Sequence, residues 1–175
     1  MYQRRETMTN LKTVRTEKDR FFASHQQSPL TPAQRHSCKG LNYFPENPAL
    51  RLDVAVVAFP TQDAVSIQTT SGNPQAYRRY GKFKFTVDGK DAELVIYVGQ
   101  HGFFLPFADS LPGSETHPAG RYLEPEKLSN GKFRVDFNQA YNPYCAYNEQ
   151  WSCPITPAEN CLKVAIRAGE KVFHH

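Results

Sequence analysis

Asp109, Glu115, His117 and Arg121 fall within thirteen residues, which brings a second carboxylate, an imidazole and a guanidinium into reach of one another on a short connection. A planar guanidinium suits bidentate contact with a carboxylate or phosphate, and an imidazole titrates near neutrality, so the set can bind an anion at Arg121 while His117 or a carboxylate moves a proton. The alternative is structural: Arg121 pairs with Asp109 or Glu115 to fasten the connection, and His117 lies at the surface. Asp136 and Asn138 alternate with Val135 and Phe137, which puts two short polar groups on one face of an expected strand just before Tyr141 and Asn142. On an inward face they need hydrogen-bond partners, and a ligand can be one; on an outward face they cap the following turn.

Residues 136–154 carry three Asn, three Tyr, one Trp, two Cys and two Pro. Asn and Pro set turns, and the aromatics offer rigid amphipathic surface. The stretch 141–154 is therefore expected to be ordered and to pack over the strand bearing Asp136 and Asn138. Arg121, Asp136, Asn138, Tyr141 and Asn148 form the expected ligand-binding set, with His117, Glu115, Asp109 and Cys145 as the candidates for chemistry. Cys145 lacks a local motif supplying the base that a nucleophilic thiol needs. Cys145, Cys153 and Cys161 are each separated by seven residues, a spacing that fits free thiols better than a metal signature, and no metal is expected. The glycines lack the spacing of phosphate-binding loops, and nothing in the residue types implies a particular cofactor.

The elements that must position these groups are mostly strands. At 175 residues, a single core-bearing domain over 11–172 is expected, with a flexible 1–10 and a tail at 173–175. Leu11, Val14, Phe21, Phe22 and His25 lie along one flank of a helix over 11–26, a flank interrupted by Lys18. Ser28-Pro29 and Thr31-Pro32 should end it. Strands are expected over 50–59, 83–87, 94–98, 103–107, 132–138 and 162–168, the second and third joined across Asp88-Gly89 as a hairpin. Short strands divided by turns predict a mainly β fold, an antiparallel β-barrel or strongly curved β-sandwich with the N-terminal helix across one opening or edge.

Several phrases resemble the uncharacterised family called domain of unknown function 1684: Phe104-Leu105-Pro106-Phe107-Ala108-Asp109, Glu115-Thr116-His117-Pro118-Ala119-Gly120-Arg121-Tyr122, Asp136 through Tyr147, and Ser152-Cys153-Pro154 on to Lys171. The resemblance implies a β-rich fold and supplies no activity. The formal charge of +4 is dispersed and forms no dense basic stripe, so a nucleic-acid partner is not expected. No apolar run has signal-peptide or membrane-spanning length, which predicts a soluble cytoplasmic protein without a membrane partner. Together the residues predict binding of a small polar or anionic molecule in an aromatic-lined pocket. The alternatives are a small-molecule hydrolase or related enzyme using His117 or a carboxylate near Arg121, and a structural or protein-interaction module.

Overall fold

The computed structural model describes residues 3–174. In chain order the elements are α1 (Gln3–Ser24), α2 (Pro32–Ser37), β1 (Arg51–Val54), β2 (Val57–Ala58), β3 (Ala64–Ile67), β4 (Gln75–Val87), β5 (Lys90–Gly99), β6 (Gly102–Phe107), β7 (Arg121–Leu123), β8 (Glu126–Lys127) and β9 (Phe133–Asp136). Short 3-10 turns cover Pro48–Leu50, Phe137–Gln139, Tyr144–Ala146 and Ala158–Asn160. The segment 1–10, expected to be flexible, falls partly outside the described residues, and from Gln3 onward it forms the start of α1. Residue 175 of the expected tail also lies outside them, while the ring of Phe173 packs edge-on against Tyr147.

The fold is mainly β, in two antiparallel sheets. One runs β2-β4-β5-β6-β7 with β3 also paired to β4, the other β1-β9-β8, and neither strand order closes on itself. The expected hairpin is β4–β5. Asp88 and Gly89 both take positive φ, +50° and +75°, and Val87 pairs with Lys90, the two-residue turn whose twist matches that of the strands it joins. Its inward residues Phe83, Phe85, Leu94 and Ile96 meet Leu105, Phe107 and Leu123 of the same sheet and Val54, Phe133 and Val135 of the other. Both sheets thus face one apolar core.

Three expectations change. The run over 50–59 splits, because β1 pairs with β9 and β2 with β4, in different sheets. Thr31-Pro32 opens α2 instead of only breaking the first helix: Thr31 Oγ1 accepts from Gln34 N at 3.2 Å, and Gln34 Oε1 accepts from Thr31 N at 2.8 Å, a reciprocal cap with proline in the first turn. The stretch 162–168 forms no strand despite its apolar residues. Ile166 N donates to Asp109 Oδ2 at 2.9 Å, and the carbonyls of Ile166 and Ala168 accept from Arg121, so buried charged side chains take the place of a neighbouring strand.

An aromatic cleft and its buried supports

Arg121 begins β7 and is 1% exposed. Just before it, Gly120 has φ +96°, and a Cβ there would meet Phe107 O at 2.6 Å, so a side chain would push β7 away from β6. The guanidinium donates to Ala168 O, to Glu170 O at 2.9 Å and to Ile166 O at 2.8 Å, and lies 3.6 Å from Asp109 Oδ2. Burial pulls its pKa down to about 10, against the opposing pull of Asp109 and Glu170, which leaves it charged near neutrality. Asp109 is also buried and accepts from Thr116 Oγ1 at 2.7 Å. Arg121 therefore faces carbonyls and a carboxylate, the structural arrangement weighed above.

The other expected residues separate. Asp136 receives Arg51 Nε at 3.1 Å and caps the next turn through Asn138 N. Asn138 grips the backbone of Asn47 in both directions, at 2.7 and 2.9 Å. Glu115 pairs with Arg167 at 3.2 Å near the surface. His117 is half-buried, and that burial lowers its pKa below the usual imidazole value. Four cavities of about 250 to 770 Å³ lie among the described residues, and none of Asp109, Glu115, His117, Arg121, Asp136, Asn138 or Cys145 lines any of these four.

Tyr141 and Asn148 do reach cavities. Tyr141 exchanges backbone hydrogen bonds with Tyr122 of β7, 2.8 Å one way and 3.1 Å the other, and their rings meet edge to face at 5.9 Å. This pair lies between a cavity of about 520 Å³ and one of about 250 Å³, and lines both. The larger also has Lys18, Tyr144, Trp151 and Cys153 on its walls; the smaller has Tyr77, Phe104, His101 and Glu124. Beyond Tyr144 and Trp151 a third cavity, about 770 Å³, reaches Asn148 and Gln27. The rings are held by their neighbours: Tyr141 OH donates to Glu124, Tyr122 OH to Pro154 O, and Tyr144 stacks edge-on against Trp151 at 5.2 Å. Burial raises the phenol pKa of both Tyr122 and Tyr141 far above the ordinary value, so both stay protonated donors. The segment 141–154 thus packs on β7 and, through Tyr147 and Phe22 at 4.9 Å, on α1.

Lys18 was visible in the sequence as the residue that interrupts an apolar helical flank, and the structure shows why. It points inward, with Nζ 2.7 Å from Glu170 Oε2 and 5.1 Å from the centre of the Tyr141 ring. Glu170 is 2% exposed and also accepts from Asn142 N at 3.1 Å and from Tyr147 OH. Sequence reasoning passed over Glu170 and Tyr122, since a lone acid near a chain end and one tyrosine in a short strand carry no local pattern. Periodicity on α1 was the signal that could have exposed Lys18.

A family model described as protein of unknown function (DUF1684) matches residues 36–171. The chain belongs to this family. The DUF1684 description names no activity, and no curated protein matches the chain. It is similar to the solution NMR structure of an uncharacterized protein of Haloarcula marismortui, 36% identical over 95% of each chain, with a TM-score of 0.71. The DUF1684 match takes in Tyr122, Tyr141, Tyr144, Trp151 and Cys153 and begins after α1, so the cleft joins family-region rings to a cation contributed from outside the matched span. Among the described residues no helix is long and apolar enough to cross a membrane.

Proposed function

We propose that this chain binds a small polar or anionic molecule in the cleft on either side of Tyr122 and Tyr141. The observation that carries the reading is the sharing of those two rings by adjoining cavities whose other walls are Tyr77, Phe104, Tyr144 and Trp151. Concave aromatic walls with a few polar groups are the usual make-up of small-molecule sites, where exclusion of water strengthens each remaining hydrogen bond. In this reading Lys18 supplies the positive charge first sought at Arg121, because its ammonium borders the cavity and is 26% exposed while the guanidinium is enclosed. The two sheets then act as halves of a curved sandwich, with the cleft along the β6–β7 edge.

Trp151 is the single tryptophan of the chain and lines two of the cavities, so it reports on occupancy directly. Mixtures of polar and anionic metabolites are added to isotope-labelled protein, and the Trp151 indole and the amides of residues 122–124 and 141–144 are followed. A true ligand shifts these together. Tyr144→Ala should weaken it about tenfold through loss of one ring contact, near 1.4 kcal/mol. Lys18→Gln should weaken anionic hits more than neutral ones. Hits that perturb residues elsewhere, or an affinity untouched by Tyr144→Ala in a folded protein, would reject the cleft as the site.

A further inference from the structure

Two cysteines meet at the wall of the cavity of about 520 Å³ that borders Tyr141. Cys153 Sγ accepts from Cys145 N at 3.4 Å. The two backbones are fixed from different sides. Cys145 lies in the turn Tyr144–Ala146, preceded by Pro143, while Cys153 N donates to Thr70 Oγ1 at 3.1 Å and Cys153 O accepts from Thr70 N at 3.0 Å. Buried Cys153 and Pro143 line the cavity of about 520 Å³ with Lys18 and Trp151, and half-buried Cys145 meets Cys153 through its backbone N–H. Cys153 thus borders the space a small molecule can enter, and Cys145 is the residue whose backbone contacts its sulfur.

We propose that Cys145 and Cys153 form a thiol–disulfide exchange site for small-molecule disulfides that enter this cavity, with Cys153 as the attacking thiol and Cys145 as the resolving one. Cys153 loses its proton to water, and its sulfur bonds to one sulfur of the disulfide while the disulfide bond breaks and a thiolate leaves. Cys145 then gives up its proton to that leaving thiolate and attacks Cys153 Sγ, which expels the second half of the reagent. Two protein thiols are oxidised to one disulfide, and one small disulfide is reduced to two thiols. The order follows from the placement: Cys153 borders the cavity, and the Cys145 N–H at 3.4 Å favours a thiolate on Cys153 Sγ, whose pKa is lowered by hydrogen bonds from Cys145 against the opposing effect of burial. The two cysteines enclose residues 146–152, so oxidation staples the loop that carries Tyr147, Asn148 and Trp151.

The test uses the reduced full chain and 2-hydroxyethyl disulfide, with products located by peptide mass mapping. Wild type should gain an internal Cys145–Cys153 link, Cys145→Ser should trap the mixed disulfide on Cys153, and Cys153→Ser should leave Cys145 unmodified. Cys161, which is exposed, and Cys38, which packs in the α1 cluster, serve as internal references. A second measurement needs no variant: alkylation of Cys153 in the native wild type at pH 7 should run roughly tenfold faster than in the urea-unfolded chain, because the thiolate is the nucleophile. Its rate should reach half-maximum below the ordinary thiol value of about 8.5. Mixed disulfides confined to Cys38 and Cys161, or a native Cys153 no faster than the unfolded one, would overturn the proposal. Both readouts are covalent, so they stand apart from the fate of the ligand reading, which is followed by reversible shifts of the Trp151 resonance.

Discussion

Arg121 carries five N–H donors in a rigid fork, and the fold aims them at the carbonyls of Ile166, Ala168 and Glu170 and at Asp109. Its own charge offsets that of Asp109. Removing one member of such a buried pair leaves the other charged and alone. Arg121→Ala is expected to lower stability by about 3–5 kcal/mol, seen as a fall in the urea midpoint. Arg121→Lys should also be destabilising, because a single ammonium cannot face three carbonyls and a carboxylate in the geometry of the fork. A midpoint equal to wild type in both variants would refute this role. The residue was legible as important, and so was its pairing with Asp109. What a linear reading lacked were its other partners, three backbone carbonyls 45 to 49 residues away, which leave no side-chain signature.

At the scale of elements, β5 and β6 are joined by an unusual insertion. Their ladder pairs Tyr97 with Phe104, Val98 with Phe103 and Gly99 with Gly102; continued two residues further, it would set Val95 against Pro106, which has no N–H to give. Asn160 fills the gap. Its carboxamide accepts from Val95 N at 2.9 Å and donates to Val95 O and Pro106 O at 2.9 and 2.7 Å, and it is fully buried. Asn160→Ala should therefore cost about 3 kcal/mol by leaving buried peptide groups unpaired, and amide exchange at Val95 should quicken to match. An unchanged Val95 exchange rate would show that the strands close up without it. Elements built on local rules were legible: the Asp88-Gly89 hairpin from its turn, α1 from its period, β9 from its alternation. Elements that depend on distant polar side chains were not. The stretch 162–168 has the composition of a strand and is held by Asp109 and Arg121 instead, and the two-residue strand β8 is too short to show a period. The cleft was half legible, since 141–154 was marked as unusual and Tyr141 and Asn148 do line cavities, whereas its other wall comes from β4–β7 and α1.

For the molecule as a whole, residues 166–171 join nearly every part. Ile166, Ala168 and Glu170 satisfy β7, Gly169 O accepts from Phe44 N at 2.8 Å, Glu170 binds Lys18 of α1 and Tyr147 of the cleft loop, and Lys171 O accepts from Asn142 Nδ2 at 2.9 Å. A chain ending at Ala165 should lose the cooperative unfolding transition and the near-ultraviolet signal of packed aromatics, because Arg121, Asp109 and Lys18 all lose partners at once. A sharp melt close to that of the full chain would contradict this.

The Arg121 fork also sets a timetable. During synthesis the β4–β5 hairpin can pair as soon as it leaves the ribosome, since its turn and strands are contiguous. Arg121 emerges 45 residues before the nearest carbonyl that will satisfy it, at Ile166. At synthesis rates of roughly 5–20 residues per second, it stays hydrated for a few seconds and cannot enter the core alone. Desolvation of that charge is thus tied to the emergence of residues 166–170: the nascent sheet waits open at β7 until their carbonyls arrive to let it shut.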